Sequence, residues 1–159
     1  MELLGPSMAW LKRNYPYGMP RKLATKYLID MLEAIWKTHE LGFIHRDIKA
    51  SNFVLNEKKG VVYLVDFGLA KQHLKANDST PVTPWKHAEF RGTVSFASLN
   101  AHLGIDLSWR DDLWSWFFVL LDFYEEILPW WENKDYSMDD VKRIKYDCFK
   151  KKKLWSDKI

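Results

Sequence analysis

A helix that is apolar on every face constrains the fold most, because the rest of the chain must surround it. Residues 113–124 predict such a helix, since apolar residues recur at helical spacing and also occupy the faces between. Ser108 precedes it as a capping residue, and Pro129 follows its end. The most apolar segment of the chain, residues 113–121, is nine residues long, less than half of the roughly 20 that a membrane-spanning helix needs. The helix therefore predicts a globular core.

The size and composition of the chain suit one globular domain. It has 159 residues, of which 47% are hydrophobic and 28% charged, and this excludes a disordered chain. The net charge of +3 gives no reason to expect nucleic acid or an acidic membrane surface as a partner. We therefore expect neither partner, and the function must be inferred from local motifs.

Cysteine usage and the amino terminus bear on cellular location. The single cysteine, Cys148, excludes an intrachain disulfide framework and a zinc site of several thiolates, and it suits a reducing compartment. Residues 1–13 lack the continuous apolar stretch of a secretory signal. We therefore expect a cytoplasmic protein. The lysine run at 150–153 favours a solvated charge cluster; the alternative, a nuclear-import or phosphate-contacting patch, would add a nuclear location.

Hydrophobic periodicity predicts a second long helix and a β-hairpin. The helix begins after Pro20 and ends at Gly42, which suits a left-handed cap. Short apolar runs at 53–56 and 61–65 predict two strands joined by a turn that contains glycine. Residues 137–147 predict a weaker and more exposed helix. The predicted core-facing residues of the long helix are Leu28, Met31, Leu32, Ile35 and His39.

The tryptophans are predicted to serve mainly the core. Trp36, Trp114 and Trp116 occupy core positions of helices, which favours burial over a stacking platform for bases. Trp130 and Trp131 are open to either interpretation, buried or exposed. Residues 66–100 form a long connection in which neither helical nor strand periodicity persists. Connections of that length inside compact domains are usually functional, so we expect this one to have a function.

A charged loop precedes the hairpin, and one more acidic residue follows it. Asp47, Lys49 and Asn52 lie in the loop, and Asp66 comes nineteen residues after Asp47. Phosphoryl transfer needs a carboxylate to orient a hydroxyl and accept its proton, and a lysine to neutralise charge on the transferred group. It also needs an amide and a carboxylate oxygen to hold Mg²⁺. Because the strands are antiparallel, the hairpin brings these four residues together and predicts one phosphoryl-transfer site.

These motifs resemble those of protein kinases. Segment 45–52, His-Arg-Asp-Ile-Lys-Ala-Ser-Asn, resembles the kinase catalytic loop. Segment 66–68 resembles the Asp-Phe-Gly motif of kinases. Lys49 is similar to the lysine of the serine/threonine-directed enzymes, and Thr93 matches the threonine that contacts their catalytic aspartate and lysine. The resemblance implies a kinase-like α+β fold, in which a mostly helical C-terminal lobe carries a short β-hairpin.

Further segments resemble the casein kinase 1 group, and most closely its tau-tubulin kinase branch, over nearly the whole chain to about residue 147. This implies a serine/threonine protein kinase that transfers the γ-phosphate of ATP to a protein. The branch implies a cytoskeletal substrate, tubulin or a microtubule-associated protein. The segments that carry the resemblance are 3–7, 90–93, 96–102, 110–115 and 128–130.

The resemblance also assigns the site residues. Asp47 is the base, and Lys49 stabilises the γ-phosphate. Asn52 and Asp66 hold Mg²⁺, and Thr93 completes the catalytic set. Lys49, Asn52 and Asp66 thereby also bind the ATP–Mg²⁺ unit.

Other residues are assigned to the nucleotide and to the scaffold in the same way. Leu4, Val54 and Val65 touch the hinge edge and the adenine floor, and Met1 falls where the family places the residue that gates the nucleotide pocket. Asp112 hydrogen-bonds the backbone of the catalytic loop.

The chain departs from the family in one large respect. None of its seven glycines forms a glycine-rich loop, and it begins at what resembles the hinge. We therefore expect residues 1–159 to be a partial kinase domain, without the N-terminal lobe and the last helices, that binds ATP weakly. The alternative is a catalytically inactive, kinase-like interaction module. Ser95 replaces an arginine that helps this group to bind an anion near the substrate, which weakens any expectation of a preference for pre-phosphorylated substrates.

Overall fold

The computed structural model of the chain describes residues 4–75, 80–84, 87–124, 128–131 and 133–151. These ranges confirm the expected fold, mostly helical with a short β-hairpin. The helices are α1 (Met8–Asn14), α2 (Arg21–Glu40), α3 (Leu99–His102), α4 (Trp109–Phe123) and α5 (Met138–Lys151). The strands are β1 (Phe43–Ile44), β2 (Phe53–Asn56), β3 (Val61–Leu64) and β4 (Lys71–Gln72). Short 3₁₀ turns occupy Ala50–Asn52, Phe67–Leu69 and Pro129–Trp131.

Helix α2 forms one side of the core. It begins directly after Pro20, as predicted, and Gly42 beyond its end has a left-handed φ of 82°. A side chain there would also press on Leu74, whose Cβ would lie 3.2 Å from an added Cβ. Glycine is therefore required at this turn. Of the predicted core-facing residues, Leu28, Met31, Ile35 and His39 are buried and Leu32 is half-buried.

The β2–β3 hairpin packs one face on α2, and the other face is partly exposed. Phe53 lies opposite Leu64, and Leu55 opposite Val62. Directly opposed residues share a face of the sheet, and these four belong to the main core cluster or pack against it. Val54 points to the other face, because side chains alternate along a strand.

Strands β1 and β4 form a second antiparallel pair that the sequence did not predict. Phe43 lies opposite Gln72, and Ile44 opposite Lys71. Strands of two residues are too short for an alternating pattern to appear. The Nζ of Lys71 also lies 2.7 Å from Asp106 Oδ2, so β4 is attached to the loop before α4.

Helix α4 is the predicted apolar helix, but it is not enclosed on every side. Phe118 and Val119 are fully buried, whereas Leu113 is 43% and Trp109 36% exposed. The prediction of all-round burial was therefore wrong for the first two turns, where the packed elements cover only one side. Among the described residues, no helix is both long and apolar enough to cross a membrane.

The tryptophans divide between core and surface. Trp36 is 64% exposed, so the prediction that it is buried was wrong. It follows the buried Ile35 by one residue, which turns it about 100° around the helix axis and off the core face. Trp114 and Trp116 are half-buried and pack against the core, as predicted. The sequence left open whether Trp130 is buried or exposed; it is 2% exposed and therefore buried.

The buried carboxylate of Asp112 joins α4 to α2 and to the charged loop. Its Oδ2 accepts hydrogen bonds of 2.8 Å from His39 Nε2 and from the backbone N–H of His45. Its Oδ1 accepts one of 2.8 Å from the backbone N–H of Arg46. One side chain thus fixes the loop on the core, as the resemblance implied.

The neighbouring carboxylate, Asp111, attaches α3 to the start of α4. Its Oδ2 accepts from the backbone N–H of Ser108 at 2.8 Å, which is part of the predicted helix cap. Its Oδ1 accepts from the Ser98 hydroxyl at 2.7 Å and from the Asn100 amide at 2.9 Å. Helix α3 is only four residues long and was missed in the sequence.

Helix α5 buries a lysine beside a histidine. Lys145 is fully buried, and its Nζ donates to the carbonyl oxygens of Val94 at 2.9 Å and Ala97 at 2.7 Å. It also lies 3.3 Å from His102 Nε2. Burial lowers the pKa of Lys145 to about 7. Burial, and then the charge of Lys145, lower the pKa of His102 to about 4.

Removing the Asp112 carboxylate should destabilise the folded chain strongly. Asp112→Ala leaves the buried N–H of His45, the part-buried N–H of Arg46 and the His39 ring without their acceptor. We expect a loss of about 3 kcal/mol in the free energy of unfolding. Urea denaturation measures it. The matched control is Asp122→Ala on the same helix, whose carboxylate pairs with partly exposed Lys12; we expect about 1 kcal/mol or less there. Equal losses in the two variants would contradict the assignment.

Acid should destabilise the folded chain through His102. The pKa falls from 6.5 to about 4 on folding, so between these pH values the unfolded chain binds a proton that the folded chain does not. This contribution is fully present above pH 6.5 and is lost as the pH falls towards 4, up to about 3 kcal/mol. Urea denaturation across that range measures it. His102→Gln should flatten the dependence; an unchanged slope in that variant would refute the prediction.

Candidate active site

The charged loop is held by its own backbone and by His45. The fully buried ring of His45 accepts from the backbone N–H of Asp47 at Nδ1 (3.3 Å). Its Nε2 therefore carries the proton and donates to the carbonyl of Val65 at 3.1 Å. Arg46 has a left-handed φ of 68°, an uncommon conformation for a residue with a Cβ. His45 thus has a structural role, joining the loop to the end of β3.

Asp47 is the centre of a hydrogen-bonded set. Its Oδ1 accepts from the Thr93 hydroxyl at 2.7 Å. Its Oδ2 lies 2.7 Å from Lys49 Nζ and accepts from Asn52 Nδ2 at 3.2 Å. Burial opposes ionisation, but the hydrogen bonds from Lys49 and Thr93 outweigh it and hold the pKa of Asp47 below its usual value. The carboxylate is therefore charged at neutral pH.

Thr93 reaches Asp47 because Gly92 lets two backbones approach closely. Gly92 has a φ of 101°, and an added Cβ would lie 2.5 Å from the carbonyl oxygen of Arg46. Only glycine fits both constraints. The Thr93 hydroxyl also accepts from Lys49 Nζ at 3.0 Å, so it lies between the lysine and the aspartate. The predicted catalytic residues Asp47, Lys49, Asn52 and Thr93 are therefore in one place.

Asn52 and Asp66 lie at adjoining ends of the hairpin. The backbone N–H of Val65 donates to the Asn52 carbonyl at 2.9 Å, and Asp66 follows directly. Asn52 Nδ2 donates to the backbone carbonyl of Asp47 at 2.9 Å. The bonds from Asn52 to Asp47 therefore use the amide nitrogen of Asn52 and not its amide oxygen. Asp66 is exposed and has a left-handed φ of 65°.

This donor set suits Mg²⁺, which prefers oxygen and is usually held by one or two carboxylates together with substrate phosphates. An amide oxygen and an exposed carboxylate are donors of that kind. The described part of the chain contains no group of three or more His, Cys, Asp or Glu residues placed to hold a metal.

The residues assigned to the nucleotide lie beside β2, in β2 and directly after β3. The segment of Leu4 runs beside β2: the Gly5 N–H donates to the Leu55 carbonyl at 2.9 Å, and an added Cβ on Gly5 would meet that oxygen at 2.6 Å. Val54 and Val65 are half-buried and absent from the core clusters. Leu4 is half-buried as well. Met1 lies outside the described residues.

Sequence analysis missed the side chains that hold the segment after Thr93. Trp130 Nε1 donates to the Ser95 carbonyl at 2.9 Å, while Lys145 donates to the carbonyls on either side of it. A signal existed: Lys145 follows the buried Val141 by four residues, which places both on the same face of α5.

Comparison with known proteins identifies the family of the chain. Residues 4–158 match the protein kinase domain family. A relative from Dictyostelium discoideum, described as a "probable serine/threonine-protein kinase", is 40% identical over 156 residues. The match covers 92% of this chain, and the chain spans 30% of the length of that relative. With nearly all of its residues matched, the chain belongs to the protein kinase domain family.

Proposed function

We propose that this chain forms the catalytic lobe of a serine/threonine protein kinase of the casein kinase 1 type. The observation that carries the proposal is the bonded set of Asp47, Lys49 and Thr93, with distances of 2.7 to 3.0 Å. The name of the Dictyostelium discoideum relative supports the same substrate hydroxyls, serine and threonine.

Asp47 orients the hydroxyl of the substrate. Its pKa is lowered, so it is ionised and can accept a hydrogen bond from the hydroxyl. It would receive the proton as the hydroxyl oxygen bonds to the γ-phosphorus and the bond from that phosphorus to the bridging oxygen of ADP breaks. Lys49 Nζ lies 2.7 Å from this carboxylate, so its positive charge is next to the γ-phosphoryl group as negative charge shifts towards the leaving group.

Asn52 and Asp66 would hold Mg²⁺ through the amide oxygen and the carboxylate. The ion supplies positive charge that neutralises the phosphates of ATP. Val54 and Val65 form an apolar floor for the base, and Leu4 lies at its edge. These assignments are supported by the partial exposure of the three side chains, which belong to neither core cluster.

The finer specificity follows the family resemblance. The segments around Gly92, Ser98 and Asp111 favour the casein kinase 1 group and its tau-tubulin kinase branch, so we propose a cytoskeletal protein as substrate. Ser95 provides no positive charge near the substrate. We propose a cytoplasmic location, and a nuclear one in addition if the lysine run at 150–153 acts in import.

Phosphotransfer should depend on Asp66. In the full-length protein that contains this chain, Asp66→Asn should lower the transfer of radiolabelled phosphate from Mg²⁺–ATP to serine/threonine peptides by at least about 100-fold. Peptide binding should be nearly unchanged. The matched control is Asp139→Asn, an exposed carboxylate on α5, which should retain full activity. If the wild-type protein binds partners but transfers no phosphate, the alternative of an interaction module is correct.

The Thr93 hydroxyl should contribute to the rate of phosphotransfer through its hydrogen bonds to Asp47 and Lys49. Thr93→Val keeps the shape of the side chain but removes both bonds, and we expect kcat to fall about 10- to 100-fold. Thr93→Ser keeps the hydroxyl and should retain most of the activity. Steady-state kinetics measure the difference. Equal values of kcat for the valine and serine variants would show that the hydroxyl does not contribute to phosphotransfer.

A further inference from the structure

The backbone that follows Thr93 is held from one side by side chains of distant elements. Lys145 donates to the carbonyls of Val94 and Ala97, at 2.9 and 2.7 Å. Trp130 donates to the carbonyl of Ser95 between them, at 2.9 Å. Three of four consecutive carbonyls therefore accept bonds from buried donors.

The same segment forms a turn that begins at Thr93. The backbone N–H groups of Phe96 and Ala97 both donate to the Thr93 carbonyl, at 3.0 and 2.9 Å. Two N–H groups of the segment thus bond within the turn, and three of its carbonyls accept bonds from Lys145 and Trp130. Since the Thr93 side chain bonds Asp47 at 2.7 Å, any movement of the turn moves a partner of the proposed base.

Lys145 is an unusual choice for this position. It is fully buried, and its ammonium is surrounded by two carbonyls, the His102 ring and the faces of Phe118 and Trp130, at 5.0 and 4.8 Å from the ring centroids. A buried ammonium that lacks water is costly, and an apolar side chain of similar length would fill the space at less cost. Its use here therefore calls for a reason other than packing.

We propose that Lys145 is a positioning residue: its ammonium fixes turn 93–97 and thereby holds the Thr93 hydroxyl between Asp47 and Lys49. The part of this inference that concerns catalysis rests on the proposed function. The part that concerns the turn stands on the contacts alone.

The variant Lys145→Met tests the role, because it keeps the length of the side chain and removes its donors. In the full-length protein, amide exchange measured by NMR should rise at least about tenfold at Phe96 and Ala97 relative to the amides of α2. The control is Lys150→Met, the same substitution at an exposed residue of the same helix. It should exchange as the wild type does.

Kinetics separate positioning from stability. In Lys145→Met, kcat/KM for the peptide should fall about tenfold while KM for ATP stays within about twofold, since the nucleotide-contacting residues lie on other elements. If Lys145 acts through Thr93, adding Lys145→Met to Thr93→Val should lower the rate little further. Losses that multiply in the double variant would overturn the proposal.

Amide exchange also distinguishes the failure of this inference from failure of the proposed function. A wild-type protein without phosphotransfer would refute the function, but selective exchange at Phe96 and Ala97 in Lys145→Met would still support the turn. An even rise across the lobe, or no rise, would overturn the role of Lys145. If that variant does not fold, Trp130→Phe removes the bond to Ser95 while it keeps an aromatic ring beside Lys145. It should raise exchange in the same two amides, and an unchanged rate there would count equally against the proposal.

Discussion

The structure depends on one buried carboxylate more than on any other group. Asp112 receives the backbone N–H groups of two successive loop residues and the ring of His39, each at 2.8 Å. A loop beside a hairpin would otherwise have many conformations of similar energy, because few of its own side chains are apolar. The carboxylate is fixed in its turn, because it belongs to a helix whose later turns are buried in the core. Through it, the rigidity of packed helices is transferred to a segment that carries charged residues.

A second constraint is electrostatic. Asp47 is buried beside Lys49, and each charge would be costly there without the other. Thr93 joins both of them, and it can do so because Gly92 permits close contact with the backbone of Arg46. The groups are therefore held in place before any ligand arrives, which is the condition for effective stabilisation of a charged transition state.

Much of this arrangement could be predicted from the sequence, because it follows from local chemistry. The period of α2, its proline start and its glycine end are properties of neighbouring residues, as are the alternation and the short turn of the hairpin. The spacing from Asp47 to Asp66 predicts convergence, since a two-stranded hairpin returns the chain to its starting edge. The structure brings Asp47, Lys49, Asn52 and Thr93 into direct contact. Asp66 directly follows Val65, whose backbone N–H donates to the Asn52 carbonyl.

The sequence by itself determined the three long helices α2, α4 and α5, the hairpin and the order of the charged residues, because periodicity and turn chemistry act over a few residues; the shorter helices α1 and α3 were not predicted. Only the tertiary structure decided which faces were covered. Trp36 shares a helix with buried residues and is nevertheless exposed, while Trp130 and Lys145 are enclosed by elements far from them in the chain. The pairing of β1 with β4 is likewise a contact between distant segments. Burial depends on what packs against a residue, and no local pattern contains that information.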